Sequence, residues 1–214
     1  MMSTLPPFLQ DNRAHKICLV LEGFEEHIYF EKILQFPCFR KDLYDIKTVN
    51  AKSASNVPGI YQEEFQKNIH ELVLVVCDKD RVPTQYNNII EKLDLIHGTG
   101  KGQYVVVFTS PCTLQIILSH FGDVSLTTQA KKAARPLVES LTGVHEYDAH
   151  QDQLKEICSK IHYRSYNDMK RRVEKISTCP NDIPSTNMLE LFSNLESEEC
   201  DWISNINRNI VLDD

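Results

Sequence analysis

The stretch ELVLVVCDKD, residues 71–80, constrains the fold more than any other part of the chain. Leu72 to Cys77 is a continuous apolar run, β-branched at Val73, Val75 and Val76. A strand with one wet face would alternate apolar and polar residues, whereas an unbroken run is expected where both faces are covered. Covering both faces calls for helices on each side, and so for a parallel sheet joined by crossovers. The run then ends on two acids, Asp78 and Asp80, with Lys79 between them.

The rest of the first half repeats the pattern. KICLVLEG (16–23) is a short apolar run closing on Glu22 and Gly23, the glycine giving the backbone room to turn. The segment 25–36 carries Ile28, Tyr29, Ile33, Leu34 and Phe36 at helical spacing before Pro37. Strand, helix, strand, helix continues as strand 43–50, helix 59–70, strand 71–80, helix 84–96 behind Pro83, strand 103–110, and helix 112–121 behind Pro111. This order predicts an α/β fold with a mostly parallel four-stranded sheet flanked by helices. Beyond about residue 125 the β signal disappears, and TTQAKKAARPLVESL, DQLKEICSKI, SYNDMKRRVEKI, NMLELFSNL and DWISNINRNI read as helices. The organisation expected is an α/β core over 1–123 and a helical extension over 124–214 packed on it.

Composition narrows the classes. Of the 214 residues, 42% are hydrophobic and 25% charged, enough for a sizeable soluble core. No apolar stretch approaches the roughly 20 residues needed to span a bilayer, and the N-terminus lacks a basic-then-apolar secretory pattern. The seven cysteines are scattered singly without a CxxC pair, so the expectation is reduced thiols in a cytoplasmic protein with no membrane association. A formal charge of −7 argues against a surface that is basic throughout.

In an open parallel sheet, ligands bind outside the carboxyl ends of the strands. Glu22, the Asp78–Lys79–Asp80 segment and Thr109–Ser110 all fall there. Two like charges at about 4 Å cost roughly 4 kcal/mol at an effective dielectric of about 20. A divalent cation, Mg²⁺ or Mn²⁺, relieves that repulsion and prefers oxygen ligands. Metal held this way can activate water for phosphodiester cleavage. Each acid also has a plainer reading: Asp80 could cap the helix behind Pro83, and Glu26 could be an acid favoured by the helix dipole or a further ligand. Glu25 is expected on the solvent side, and Tyr29 and Phe30 in the core. His120 closes an apolar face, where a satisfied buried histidine is the commoner outcome. Arg81 and Lys101 lie nearer the rim and read equally as phosphate contacts or as solvated charges. A second basic group, Arg164, Lys170, Arg171 and Arg172, interleaves with Tyr163 and Tyr166, a composition that suits nucleic-acid contact as well as a solvated helix face.

Three elements resemble those of RloB-like proteins, a branch of the Toprim superfamily near the OLD nucleases. EGFEEHIYF resembles the family's E-G-x-x-E-x-x-Y-F opening through Glu22, Gly23, Glu26, Tyr29 and Phe30. VLVVCDKDR resembles its D-x-D strand through Asp78 and Asp80. SPCTLQIILSHF resembles a third element through Ser110, Pro111, Cys112, Leu118, His120 and Phe121. The resemblance implies a Toprim-like Rossmannoid core with metal among Glu22, Asp78, Asp80 and Glu26. It also implies cleavage of DNA or RNA, a separate ABC- or AAA-type ATPase partner, self-association, and an anti-phage role in a bacterial or mobile-element setting. Ser110 and His120 become site candidates on the same ground. The family's Phe-Glu after Pro-Cys is Thr113-Leu114 here, so one family glutamate is missing and neutral Gln115 follows.

Two other functions share part of the pattern. A non-catalytic module of the same fold, docking to an ATPase, would tolerate the missing glutamate. A receiver-like signalling domain is also doubly wound, and Asp78 and Thr109 could fill its phosphoacceptor and hydroxyl places.

Overall fold

The computed structural model describes residues 13–211; most of the N-terminal segment that lacks a secretory pattern, and residues 212–214, lie outside that range. Four parallel strands form the sheet's body. β1 (His15–Leu21) lies between β2 (Tyr44–Asn50) and β3 (Leu72–Asp78), with Ile17 opposite both Ile46 and Leu72. β4 (Val106–Ser110) follows on β3, Asp78 facing Thr109. β1 and β3 supply the centre of the core: Ile17–Leu21 and Leu72–Cys77 are buried throughout, as the unbroken apolar runs require.

Between the strands run α1 (Phe24–Ile33), α2 (Val57–Gln66) and α3 (Thr84–His97), and α4 (Leu114–Ser119) follows β4. The chain moves outward from β1 to β2 and then back past β1 to β3 and β4. With right-handed crossovers, α1 therefore covers one face and α2 and α3 the other. The carboxyl ends of β1 and β3 form the topological switch point of the sheet, the place where open parallel sheets bind their ligands.

The sheet has five strands, in the order β2-β1-β3-β4-β5, where four were expected. β5 (Ser185–Thr186) runs antiparallel to β4, pairing Ser185 with Ser110 and Thr186 with Thr109. Two residues carry no periodicity, so the strand is silent in sequence. It lies after Pro184, inside the loop expected between two helices. Asn187 extends the pairing with its side chain: its Oδ1 accepts from Phe108 N at 2.7 Å and its Nδ2 donates to Val106 O at 3.1 Å. β4 is also shorter than the expected 103–110, because Gly102–Val105 forms a 3-10 turn before it.

The expected helices of the second half are present as α5 (Lys131–Thr142), α6 (Gln151–Ser159), α7 (Tyr163–Val173), α8 (Met188–Glu196) and α9 (Asp201–Ile210). They share one hydrophobic core with the sheet. The seam is aromatic: Tyr29, Phe30, Phe36 and Phe39 from the first half meet Tyr166 and Phe192 with ring centroids 5.6–6.5 Å apart. Tyr29 and Phe30 are fully buried, as expected; truncating either to alanine costs about 3–5 kcal/mol. No helix among the described residues is long and apolar enough to cross a membrane.

Candidate metal centre

β1 does not stop abruptly at Leu21. Glu22 N still donates to Val76 O at 3.0 Å, continuing the ladder to β3. The Glu22 carboxylate then bridges the same pair of strands, its Oε2 accepting from Asp78 N at 3.0 Å. Gly23 is extended (φ −148°, ψ −164°), a conformation open to any residue, so the turn does not depend on glycine's freedom. α1 starts at once, with Glu25 and Glu26 in its first turn. Glu26 is buried and reaches back so that its Oε2 accepts from Gly23 N at 2.9 Å, the return half of a capping box. Glu26 thus ties down the start of α1 while its carboxylate stays at the strand ends.

Asp78 ends β3, and its Oδ1 is held by Thr113 twice, from the backbone N at 2.8 Å and from Oγ1 at 2.9 Å. Thr113 sits immediately before α4, so this loop delivers its hydroxyl and amide to the end of β3. Oxygen atoms of Glu25, Glu26 and Asp78 all lie within 4.8 Å of one another. The expected solvent position of Glu25 is therefore corrected: the first turn of α1 points over the strand ends and carries this side chain into the cluster, half-buried. Asp80 lies past the end of β3 and no cap bond ties it to α3, whose N-terminal position is Pro83.

The electrostatics of this rim are those of crowded acids. Burial, then Glu26, pushes Glu22 up to about 7, Asp80 adding to the rise and the Asp78 amide opposing it. Asp78 is held well above the usual carboxylate range by burial and then by Glu26, Glu25 and Glu22, against the pull of Thr113. Burial also raises Asp80. The neighbouring Cys77 and Cys112 thiols are pushed up by burial and by the same acids. Lys79, the nearest base in sequence, faces away: its ammonium donates to Pro180 O and lies 5.6 Å from the Tyr86 ring centroid. Among the described residues, no lysine or arginine forms an ion pair with Glu22, Glu26, Asp78 or Asp80. An all-oxygen donor set of this kind fits a hard divalent cation.

Two further groups at this rim have no signal in sequence. Thr113 reaches the site only because β4 and α4 fold beside β3. Tyr147, between α5 and α6, is fully buried, and its hydroxyl has no hydrogen-bond partner among the described residues. Burial, then Glu25, raises its ionisation, with Asp78 contributing.

The other expected site residues fall elsewhere. His120 is buried between helices: its Nε2 meets Tyr29 OH at 3.0 Å and its Nδ1 meets Ser165 Oγ at 3.2 Å. Burial, then the Arg172 charge, lowers it to about 3, so it is neutral and ties α4 to α1 and α7. Ser110 is buried in the pairing with β5. Thr109 turns its hydroxyl to Thr186 at 3.2 Å, which removes it from the hydroxyl role of a receiver domain. Lys101 is corrected in position: it precedes β4, at the amino end of a parallel strand and thus at the opposite rim, where it donates to Val211 O. In the basic group, Lys170 pairs with Glu196 at 2.6 Å, and Arg172 donates to Ser119 O at 2.7 Å. Arg171 pairs with Asp168 while remaining largely exposed. Arg81 and Arg164 are exposed. Leu114 is buried and offers no ligand; Gln115 anchors the following loop through Val124 O and Leu126 N.

No protein-family model and no curated protein matches the chain. Among solved structures, the C-terminal region of the Burkholderia pseudomallei OLD protein matches 91% of this chain and 96% of its own, at 14% identity and a TM-score of 0.40. A likeness this loose says nothing of activity.

Proposed function

We propose that the chain is a metal-dependent phosphodiesterase acting on DNA or RNA, of the Toprim nuclease type. The observation that supports this reading best is the gathering of Glu25, Glu26 and Asp78 at the switch point, with Glu22 bonded to the Asp78 amide beside them and both Glu22 and Asp78 raised by burial and by the acids around them. Acids arranged in this way destabilise the fold unless a cation is present, and such perturbed groups mark functional sites. Glu25, Glu26, Asp78 and Asp80 would hold Mg²⁺ or Mn²⁺. When bound, the cation supplies Lewis-acid activation of water and neutralises charge on the phosphodiester. Thr113 keeps Asp78 in one orientation. Glu22, poised near neutrality and fixed by the Asp78 amide, accepts the proton of the attacking water. Arg81, Arg164 and Arg171 remain available to a polyanion, whereas Lys170 and Arg172 are engaged in holding α7 to its neighbours.

The sequence resemblance extends the proposal to a cytoplasmic effector of an anti-phage system that works with a separate ATPase and self-associates. The test is cleavage of labelled single- and double-stranded DNA and RNA by the full chain, alone and with that ATPase. Cleavage is expected with Mg²⁺ or Mn²⁺, none with EDTA, and none from Asp78→Asn or Glu26→Gln. Undiminished cleavage by Asp78→Asn would overturn the assignment. Intact biological activity of Asp78→Ala would leave the non-catalytic docking module as the correct reading.

A further inference from the structure

A second cluster lies away from the acidic rim, under α2. Cys18 is in β1, four residues before Glu22 and so about 13 Å of extended chain from it. Glu64 is on the last turns of α2, and His70 sits in the connection to β3. One ligand atom from each of Cys18, Glu64 and His70 lies within 4.8 Å of the other two. Cys18 is fully buried and Glu64 nearly so. The His70 side chain is 6% exposed. One of its ring nitrogens, Nε2, meets Glu64 Oε2 at 3.0 Å; the other, Nδ1, is buried with no hydrogen-bond partner among the described residues.

We propose that Cys18, Glu64 and His70 form a binding site for a borderline-soft divalent transition metal, Zn²⁺ above all. The donor chemistry differs from that of the rim, one thiolate and one imidazole beside a single carboxylate, and it selects zinc over magnesium. On binding, the Cys18 thiol gives its proton to water, and thiolate and carboxylate then carry two negative charges, which match the cation. Tetrahedral ligands about 2.0–2.3 Å from zinc stand roughly 3.3–3.8 Å apart, so a small closure of the observed cluster is enough. A metal bound through Nδ1 would give His70 a second partner.

Without metal, the Glu64 carboxylate collects cations, Lys47 and Lys67 at 2.8 Å each as well as His70. These ammonium groups mark the negative potential there, and a metal must displace them. Their side chains are 46% and 38% exposed, and Lys67 already has Glu63 as an alternative at 2.8 Å. The lysine ends can return to solvent on release, whereas the Glu64 side chain they leave is only 5% exposed and needs the metal in their place. The site joins β1, α2 and the α2–β3 connection, so zinc here would lock the sheet's amino-terminal edge rather than take part in chemistry at the opposite rim.

Cobalt substitution tests this independently of any nuclease activity. The full chain, with excess Mg²⁺ present to occupy oxygen sites, is titrated with Co²⁺. The expected result is a thiolate-to-cobalt charge-transfer band with tetrahedral d–d bands, saturating at one equivalent and bleached by Zn²⁺. Cys18→Ser abolishes the charge-transfer band, His70→Ala weakens Co²⁺ affinity at least ~10-fold, and Cys179→Ser, at an exposed thiol, changes neither. Should Cys18→Ser fail to fold, the melting temperature decides: Zn²⁺ raises it in the wild type and not in His70→Ala. Absence of the band in folded wild type, its survival in folded Cys18→Ser, its loss in Cys179→Ser, or an equal Zn²⁺ effect on wild type and His70→Ala overturns the proposal and leaves a plain ion network around Glu64.

Discussion

Replacing Glu22 by glutamine separates stability from function at the acidic rim. In the metal-free protein, Glu22 rises from the ordinary 4.5 to about 7, burial and Glu26 being the main causes. A raised carboxylate favours its protonated form in the fold. Its contribution to stability is therefore complete below pH 4.5 and is lost as pH climbs through 7. At about 1.4 kcal/mol for each tenfold change in proton affinity, the loss is about 3 kcal/mol for Glu22 alone. Glutamine removes the charge and keeps an oxygen to accept the Asp78 amide, which lies 3.0 Å from Glu22 Oε2 in the wild type. The assay is urea or thermal unfolding of both proteins in EDTA between pH 4.5 and 8, and again with Mg²⁺. In EDTA the stability difference should move in favour of Glu22→Gln by about 3 kcal/mol across that range, about 6–12 °C in Tm for a chain of this size. Mg²⁺ should restore the wild type at pH 8 and raise the variant far less, while the variant loses cleavage. A stability difference that stays constant with pH, or that moves in favour of the wild type, would refute the reasoning that these acids strain the metal-free fold.

Thr113→Val removes the 2.9 Å hydroxyl bond to Asp78 and keeps the amide bond at 2.8 Å. A bond to an ionised acceptor is worth about 1.5–3 kcal/mol, so single-turnover cleavage should fall by about 10-fold or more and Thr113→Ser should recover it; an unchanged rate removes Thr113 from the site. His120, lowered to about 3 by burial and the Arg172 charge, supports the fold above its ordinary 6.5 and loses that support as pH falls toward 3. His120→Gln should thus be less stable than wild type at pH 8, with the gap closing on acidification in urea melts and Mg²⁺-dependent cleavage retained; a gap independent of pH contradicts the buried neutral ring. Lys101→Ala, at the far rim, should leave nucleic-acid affinity and its salt slope unchanged, while Arg164→Ala should lower the slope by about 1. Equal effects of the two would place the polyanion elsewhere.

What can be read in the amino-acid order depends on how far each signal reaches. The apolar runs of β1 and β3 announce themselves because both faces of those strands are buried, and the acids closing them fall under the rule that ligands gather at carboxyl ends. Glu26, Tyr29 and Phe30 are legible through one turn of α1. Thr113 and β5 are not, for a common reason: each acts on a partner more than 30 residues away in sequence, and neither has a local pattern of its own. Asp78 and Thr113 meet only because β4 lies beside β3 and the loop after it folds back over the strand ends.

The misplacements are informative in the same way. Closeness to β4 in sequence puts Lys101 near the rim, but a parallel strand has two ends, and a loop that precedes a strand belongs to the opposite one. Glu25 is expected in solvent because charged residues at a helix start usually face water. Here the helix begins immediately after a strand end that already carries acids, with Gly23 as the single residue between Glu22 and α1. That shortness leaves the first turn little choice of direction. Glu25 and Glu26 are both carried over Asp78, and the field they create appears again in the raised thiols of Cys77 and Cys112. A short β1–α1 connection with acids on both sides is therefore a stronger sign of a cation site than the D-x-D spacing, because it forces the charges together whether or not the strand stays extended to its last acid.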